Sequence, residues 1–434
     1  MPSILEKISD FNPWWTGKRP ETGIKRHTYL EKILRYMESG EITVLTGIRR
    51  SGKTTLLYQA IDHLLDGTAH DAPTSILFVN CDSTFIKDLD NPLETILETY
   101  RSEIYPGNRP VLVFDEIQSI DGWEHTIKEW YDQKQYTILL SGSTSSLLDS
   151  GFSRLIAGRY IPLQVYPLDF AEFLQFNDIA VPDTEISRLA KRYTYQKKLA
   201  EYMQIGGFPA IVSLKDTTLQ HELLTGYFHS IIYRDIEGTH EIRNPSVLHD
   251  LIEYLVTNIS VPFHYEKLAQ LFSMDKRTVK NYVAFVKDAF LLYELRFFSY
   301  SLQTQERMQK KIYLADTGLR NEIAFSFSRD EGRLMENIVC LALVRSGIKP
   351  YFWTGKKEVD FVWKQRDSSL CAINVCYSDE IPERKPQALL EFAEEFKGKV
   401  TSLTILTKNT TKTEDGISYI PLWKWLLETG ERRS

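Results

Sequence analysis

The sequence predicts an α/β chain organised around a parallel sheet, followed by a helical stretch and two further mixed regions. Three observations carry the first part of that reading. Apolar Val44 and Leu45 end a short strand that runs into a glycine-bearing loop, and an amphipathic helix follows. A second apolar run, PVLVF at 110–114, ends in the acid pair Asp115-Glu116. Strand-length apolar runs alternate with helical spacing up to residue 165, the pattern of βα units around a parallel sheet.

The loop comes first. Residues 43–55 read TVLTGIRRSGKTT. Gly47, Ile48, Arg49, Arg50, Ser51, Gly52, Lys53 and Thr54 therefore fill G-x-x-x-x-G-K-[ST] in full, and Thr55 follows. Glycines let backbone N–H groups turn inward around phosphate oxygens. The helix N-terminus behind them adds partial positive charge. Lys53 is placed to neutralise the β and γ phosphates of ATP, and Thr54 to ligate Mg²⁺. Leu56, Leu57, Ala60, Ile61, Leu64 and Leu65 give the helix its apolar face, and Gly67 stops it.

A phosphate loop of this kind needs an acid-bearing strand beside it. Asp115 and Glu116 fall at the C-terminal end of such a strand, where ligands bind in a parallel sheet. Asp115 is expected to hold Mg²⁺ through water, and Glu116 to orient and deprotonate the attacking water. Residues 75–80 (SILFVN) and 137–140 (TILL) supply two more strands. The second runs into Ser141-Gly142-Ser143-Thr144. A hydroxyl there, Ser143 or Ser141, can contact the γ-phosphate or the water, with Ser143 the named sensor. Ile161, Leu163 and Val165 alternate with Pro162 and Gln164, which suits an edge strand. Just before it stand Arg154 and Arg159. Either can lend a guanidinium to the charge on a transferred phosphoryl group, Arg159 being the first choice, and either can be an ordinary surface arginine.

Together these residues resemble a family of AAA+-like P-loop ATPases widespread in archaea and bacteria. The resemblance rests on Asn12-Pro13-Trp14-Trp15, GIRRSGKTT at 47–55, VFDEIQ at 113–118, Leu-Ser-Gly-Ser at 140–143 and Ala-Gly-Arg at 157–159. Tyr-Pro-Leu at 166–168, Gly-Gly-Phe-Pro at 206–209 and Tyr-Arg-Asp-Ile at 233–236 extend it over nearly the whole chain. The family plan implies an AAA+-like nucleotide-binding domain, a winged helix and a C-terminal nuclease-like domain. AAA+ resemblance also implies subunits of a homo-oligomer that supply arginines to one another.

The remaining residues can be fitted to that plan. Apolar residues recur at helical spacing over 169–242, broken by Gly206-Gly207, and this stretch is expected to be a helical lid after the 1–168 ATP-binding domain. In 243–330, Tyr265, Leu268, Ala269 and Leu271 suggest one helix, and Val279, Tyr282, Val283 and Val286 a second. Residues 291–298 and 311–315 follow as two strands of a wing. This resembles a winged helix-turn-helix. Lys276, Arg277, Thr278, Lys280 and Asn281 cluster at the start of its second helix, and Arg307, Lys310 and Lys311 add charge in the wing. DNA binding and packing against protein are both open to such a module.

Residues 331–434 resemble the restriction-endonuclease-like fold. That resemblance implies a helix glutamate, a strand aspartate and an acid-x-lysine element converging on metal. Glu336 and Asp360 match the first two, but Asn374 and Cys376 stand where the acid and the lysine belong. Asn is a weaker ligand for a hard cation, and Cys cannot replace an ammonium that stabilises negative charge. The expectation is a degenerate, inactive nuclease fold.

Whole-chain properties set the bounds. Among 434 residues, 52 Lys plus Arg stand against 58 Asp plus Glu, a net charge of −6, so any DNA contact must come from a local patch. A 43% hydrophobic, 25% charged composition excludes a mainly disordered chain. Four cysteines, none in C-x-x-C, exclude a disulfide framework and fit a reducing compartment. Neither a signal-peptide pattern nor an apolar run of about 18 residues is present, so a cytoplasmic protein without membrane partners is expected. The function expected is a Mg²⁺-dependent ATPase whose turnover moves the attached domains. The alternative is an ATP-binding switch with little turnover that acts on DNA or a protein. An ATP-regulated nuclease is disfavoured by Asn374 and Cys376.

Overall fold

The computed structural model describes residues 3–67, 72–145, 147, 155–156, 158–324, 331–378 and 380–431. They form two compact units, Met1–Val165 and Tyr166–Ser434. Arg154 falls outside the described residues.

The first unit is built on five strands: β1 (Ile42–Thr46), β2 (Ile76–Asn80), β3 (Val111–Asp115), β4 (Thr137–Gly142) and β5 (Tyr160–Gln164). Their order is β2-β3-β4-β1-β5, and every neighbouring pair is parallel. Pro162 lies in β5, at an edge, where a missing N–H costs no ladder bond. Successive residues feed opposite cores. Leu77, Val79, Leu112 and Phe114 face a core that includes Ile96, Ile127 and Trp130 from the helices Pro92–Glu103 and Trp123–Gln133. Ile76, Phe78, Val111 and Val113 face another that includes Leu30 and Ile33 from helix His27–Glu38 and Leu56, Leu57 and Ile61 from helix Lys53–Asp66. A parallel sheet covered on both faces explains why its strands read as unbroken apolar runs.

The N-terminal Asn-Pro-Trp-Trp motif has a structural task. Asn12 donates through Nδ2 to Phe78 O at 2.8 Å and accepts from Phe78 N through Oδ1 at 2.7 Å. Trp14 and Trp15 both donate through Nε1 to Ile76 O, at 3.1 and 2.9 Å. These bonds occupy the outer edge of β2, which would otherwise present unpaired backbone groups.

The second unit holds a mixed sheet of eight strands. They are β6 (Leu292–Phe297), β7 (Lys310–Leu314), β8 (Tyr351–Thr354), β9 (Glu358–Lys364), β10 (Leu370–Cys376), β11 (Val400–Thr407), β12 (Lys412–Glu414) and β13 (Ile417–Pro421), in the order β12-β13-β11-β10-β9-β8-β6-β7. β6 and β7 form the antiparallel pair expected of a wing, but β6 also pairs parallel with β8. One hydrogen-bonded sheet therefore joins residues before 330 to residues after it. Helices Tyr265–Leu271 and Lys276–Asp288 precede this pair.

The wing lysines need correcting. Lys310 and Lys311 were expected to add basic charge for a partner, yet both are buried. Lys310 Nζ donates to the carbonyls of Gln305, Glu306 and Met308. Lys311 Nζ lies 2.7 Å from Glu358 and 4.0 Å from Glu336. Both serve the interior of the unit.

A second set of family markers meets at Asp316. Its carboxylate accepts from Gly207 N at 2.6 Å, Gly318 N at 2.8 Å and Leu319 N at 3.2 Å. The Gly207 carbonyl in turn accepts from Leu168 N at 2.6 Å. A Cβ on Gly207 would lie 2.4 Å from Leu168 O, so this junction admits no side chain there. The Tyr-Pro-Leu and Gly-Gly-Phe-Pro markers thus share one packed knot.

Candidate functional site

The site is assembled at the C-terminal ends of β1, β3 and β4. The chain leaves β1 at Thr46 and turns at Gly47, whose φ is 140° and whose Cβ, were there one, would meet Val165 O at 2.1 Å. Only glycine fits here. Arg50 and Gly52 also take positive φ, 69° and 98°, and the loop then enters helix Lys53–Asp66. Among the described residues no side chain caps that helix, so N–H groups of its first turn face the loop. Ile48 is buried, while Arg50 and Thr55 are exposed. Arg26, which no motif singles out, is buried and donates from Nη1 to Ser51 O at 3.0 Å, holding the loop from behind.

Four predicted residues converge. Lys53 Nζ donates to Gly47 O at 2.9 Å and Ile48 O at 3.3 Å, and lies 3.9 Å from Glu116 Oε1. Thr54 Oγ1 donates to Asp115 Oδ2 at 2.7 Å. Glu116 sits at φ 53°, a strained conformation for a non-glycine residue that costs about 1–3 kcal/mol and clusters at functional sites.

Both serine candidates take part, in different ways. Ser141 Oγ donates to Asp115 Oδ1 and accepts from Glu116 N at 3.1 Å. Ser143 Oγ accepts from Gln118 Nε2 at 3.3 Å, and the same nitrogen donates to Glu116 Oε2 at 2.6 Å. Gln118 was not singled out in the sequence. Its signals are its place two residues after the acid pair and its membership of the VFDEIQ run.

The two acids are tuned apart. Burial pushes the Asp115 carboxyl above its usual range and the Glu116 charge adds to this, against hydrogen bonds from Ser141 and Thr54. Burial also acts to raise Glu116. Lys53, the Gln118 hydrogen bond, Arg49 and Ser143 together outweigh it and hold Glu116 below its usual value. Glu116 is therefore ionised near neutral pH, the state in which a carboxylate can accept a proton.

Arg159 is not brought to this cluster. It precedes β5, and its carbonyl accepts from Ile42 N, so it lies at the N-terminal end of the sheet, about 13 Å of strand away from the loop. Its guanidinium pairs with Asp132 Oδ1 at 3.0 Å and is half exposed.

The donor set fits a magnesium nucleotide. A buried ammonium, a hydroxyl–carboxylate pair and uncapped helix N–H groups meet at one loop, and Ser51 Oγ is buried with no partner among the described residues. Hydroxyl and carboxylate oxygens are the ligands a hard cation takes.

Known proteins resemble this chain over most of its length. Residues 39–174 match the family described as an AAA domain. Residues 196–330 and 331–425 match two families described as domains of unknown function, DUF8612 and DUF4143. An uncharacterized protein of Methanocaldococcus jannaschii is 30% identical over 414 residues, covering 89% of this chain and 88% of its own. An uncharacterized protein of Haemophilus influenzae is 28% identical, covering 93% and 99%. Among solved structures, a Walker-type ATPase of Pyrococcus abyssi aligns over 71% of this chain and 99% of its own, at 14% identity and a TM-score of 0.47.

Proposed function

This chain belongs to the AAA+-like ATPase family shared by archaea and bacteria, and from that premise we propose that it binds ATP with Mg²⁺ and hydrolyses it to ADP and phosphate. It carries an AAA-type P-loop ATPase domain. The observation that supports turnover is the meeting of Lys53, Thr54, Asp115 and Glu116 at one end of a parallel sheet.

Each residue has a distinct task in this reading. Lys53 exchanges the carbonyls of Gly47 and Ile48 for β and γ phosphate oxygens. Thr54 and Asp115 hold Mg²⁺, which when bound neutralises charge on those oxygens. Glu116 takes the proton of the attacking water. Ser141 fixes the Asp115 carboxylate and the Glu116 backbone. Turnover drives a conformational change in the regions after residue 165, the 169–242 helical stretch, the winged helix and the inactive nuclease-like region. A DNA partner would meet Arg277, Lys280 and Asn281, which are exposed on helix Lys276–Asp288, and not the buried lysines of β7.

A second reading rests on Arg159. Its position at the far end of the sheet means that it can act only on a neighbour's nucleotide, so a lone chain would be an ATP-binding switch with little turnover. Turnover that rises with protein concentration favours the oligomeric ATPase, and flat, negligible turnover with tight ATP binding favours the switch. Lys53→Ala should lose ATP affinity by calorimetry. Glu116→Gln should keep it while phosphate release falls by about 10²–10⁴. Equal turnover in Glu116→Gln and the unaltered chain would remove Glu116 from the reaction.

A further inference from the structure

We infer that Gln118 is the positioning residue for Glu116, its carboxamide tying that carboxylate to the Ser143 hydroxyl across the ends of β3 and β4 in space left by Gly142. The inference rests on the hydrolytic reading above and adds a residue to it.

Three observations carry it. The Gln118 nitrogen reaches Glu116 Oε2 at 2.6 Å and Ser143 Oγ at 3.3 Å, so one side chain spans both strand ends. Gln118 Oε1 is buried and finds no donor among the described residues. A buried acceptor left unmade costs about 1–3 kcal/mol, so this orientation is maintained by the two bonds on the nitrogen side. Finally, a Cβ on Gly142 would stand 2.6 Å from Gln118 Oε1 and 2.6 Å from Leu147 Cδ1. The glycine between the two serines makes the room in which the carboxamide lies.

The arrangement has a mechanical consequence. Gln118 on Oε2 and Lys53, 3.9 Å from Oε1, both restrain the Glu116 carboxylate, with Ser143 and Arg49 also acting on it. When Lys53 turns to phosphate, the carboxylate is left to Ser143 and to the Gln118 bond. Without it the carboxylate can leave the line of the attacking water, and a displacement of about 1 Å can cost about a hundredfold in rate. Binding of ATP does not use this bond, so affinity should be untouched.

The test separates positioning from folding. Gln118→Met keeps length and volume but deletes the donor. It should lower kcat about tenfold to a hundredfold, leaving KM and the Kd for a non-hydrolysable ATP analogue unchanged. In a Glu116→Gln background it should cost nothing further, since the base it positions is gone. Gly142→Ala, which displaces the carboxamide without altering it, should reproduce the kcat loss. In nucleotide-free protein carrying ¹⁵N-glutamine, the Gln118 side-chain amide signal, identified by its loss in Gln118→Met, should move in Glu116→Gln. An unmoved signal, or an unchanged kcat in Gln118→Met while Glu116→Gln is inactive, overturns the positioning role alone. Full turnover in Glu116→Gln overturns the hydrolytic reading on which it rests. A fall in nucleotide affinity equal to the fall in kcat makes Gln118 a merely structural residue and also overturns the role.

Discussion

Asp316 gives a stability prediction with a definite sign. The carboxylate is fully buried, and burial pushes its pKa up to about 6 from 3.8, against three backbone N–H bonds and Arg345. At 1.36 kcal/mol per unit, that difference is about 3 kcal/mol. The folded chain takes this proton at a higher pH than the unfolded chain does. The contribution to stability is therefore full below about pH 4 and is lost as pH rises to and through about 6. Asp316→Asn cannot titrate. Its Oδ1 can still accept from Gly318 and Leu319, but its Nδ2 then faces the Gly207 N–H, donor against donor, at a cost of about 1–3 kcal/mol. The variant should be less stable than the parent near pH 4.5, where about 2 kcal/mol of that contribution is still present, and the gap should shrink by about 2 kcal/mol near pH 7.5, closing or reversing. Urea unfolding of both proteins across this range measures the gap. Pairing them cancels other titrating groups such as Glu336, which burial and Asp360 push up to about 7. A gap that stays constant from pH 4.5 to 7.5 would refute the account of Asp316.

Other outcomes follow from single contacts. Arg159→Ala chains mixed with Glu116→Gln chains should recover part of the turnover if Arg159 serves a neighbour, and no recovery in a verified mixed oligomer counts against action in trans. Lys385→Met should lower stability by about 3–5 kcal/mol, because it strips the ammonium 2.6 Å from the buried Asp360 carboxylate; a loss under 1 kcal/mol in urea would contradict the pairing. Asn12→Ala should cost about 2 kcal/mol or more, since it orphans both Phe78 backbone groups at the outer edge of β2, and a change in unfolding midpoint reads it directly.

The nucleotide loop was legible because its chemistry is contiguous. Glycines, Lys53 and Thr54 occupy one run of sequence, and the Asp115-Glu116 pair announces itself by ending an apolar strand. What the sequence hid is what depends on distant residues. Arg26 reaches Ser51 from another segment, and nothing around it marks that reach. Gln118 stands in the VFDEIQ run with no task of its own until Gly142 is seen to make room for it. The parallel pairing of β6 with β8 is a non-local choice, made by backbone registers that local alternation does not encode. Lys310 and Lys311 misled for a related reason. A lysine in a strand reads as solvent-facing until carbonyls and carboxylates from other elements are brought around it.

The C-terminal acids show the same limit most sharply. Glu336 and Asp360 do come near one another, close enough for Asp360 to raise the Glu336 pKa. The two positions that depart from acid-x-lysine look like losses when read along β10 alone. In the fold, Asn374 is used on both sides: Oδ1 accepts from Asp360 N at 2.9 Å, and Nδ2 donates to Lys385 O at 2.8 Å. A carboxylate at 374 could make the first bond but not the second, and it would place another negative charge beside Asp360. The missing ammonium is also present, supplied from elsewhere. Lys385 comes from helix Arg384–Glu395 and sits 2.6 Å from Asp360, while Lys311 comes from β7 and sits between Glu358 and Glu336. Two ammonium groups thus stand among three carboxylates, and a proton held by Glu336 near neutral pH brings the cluster to charge balance. Buried carboxylates persist only when something neutralises them. Here lysines from two other elements do so, which is why neither the motif nor its apparent gaps could reveal it.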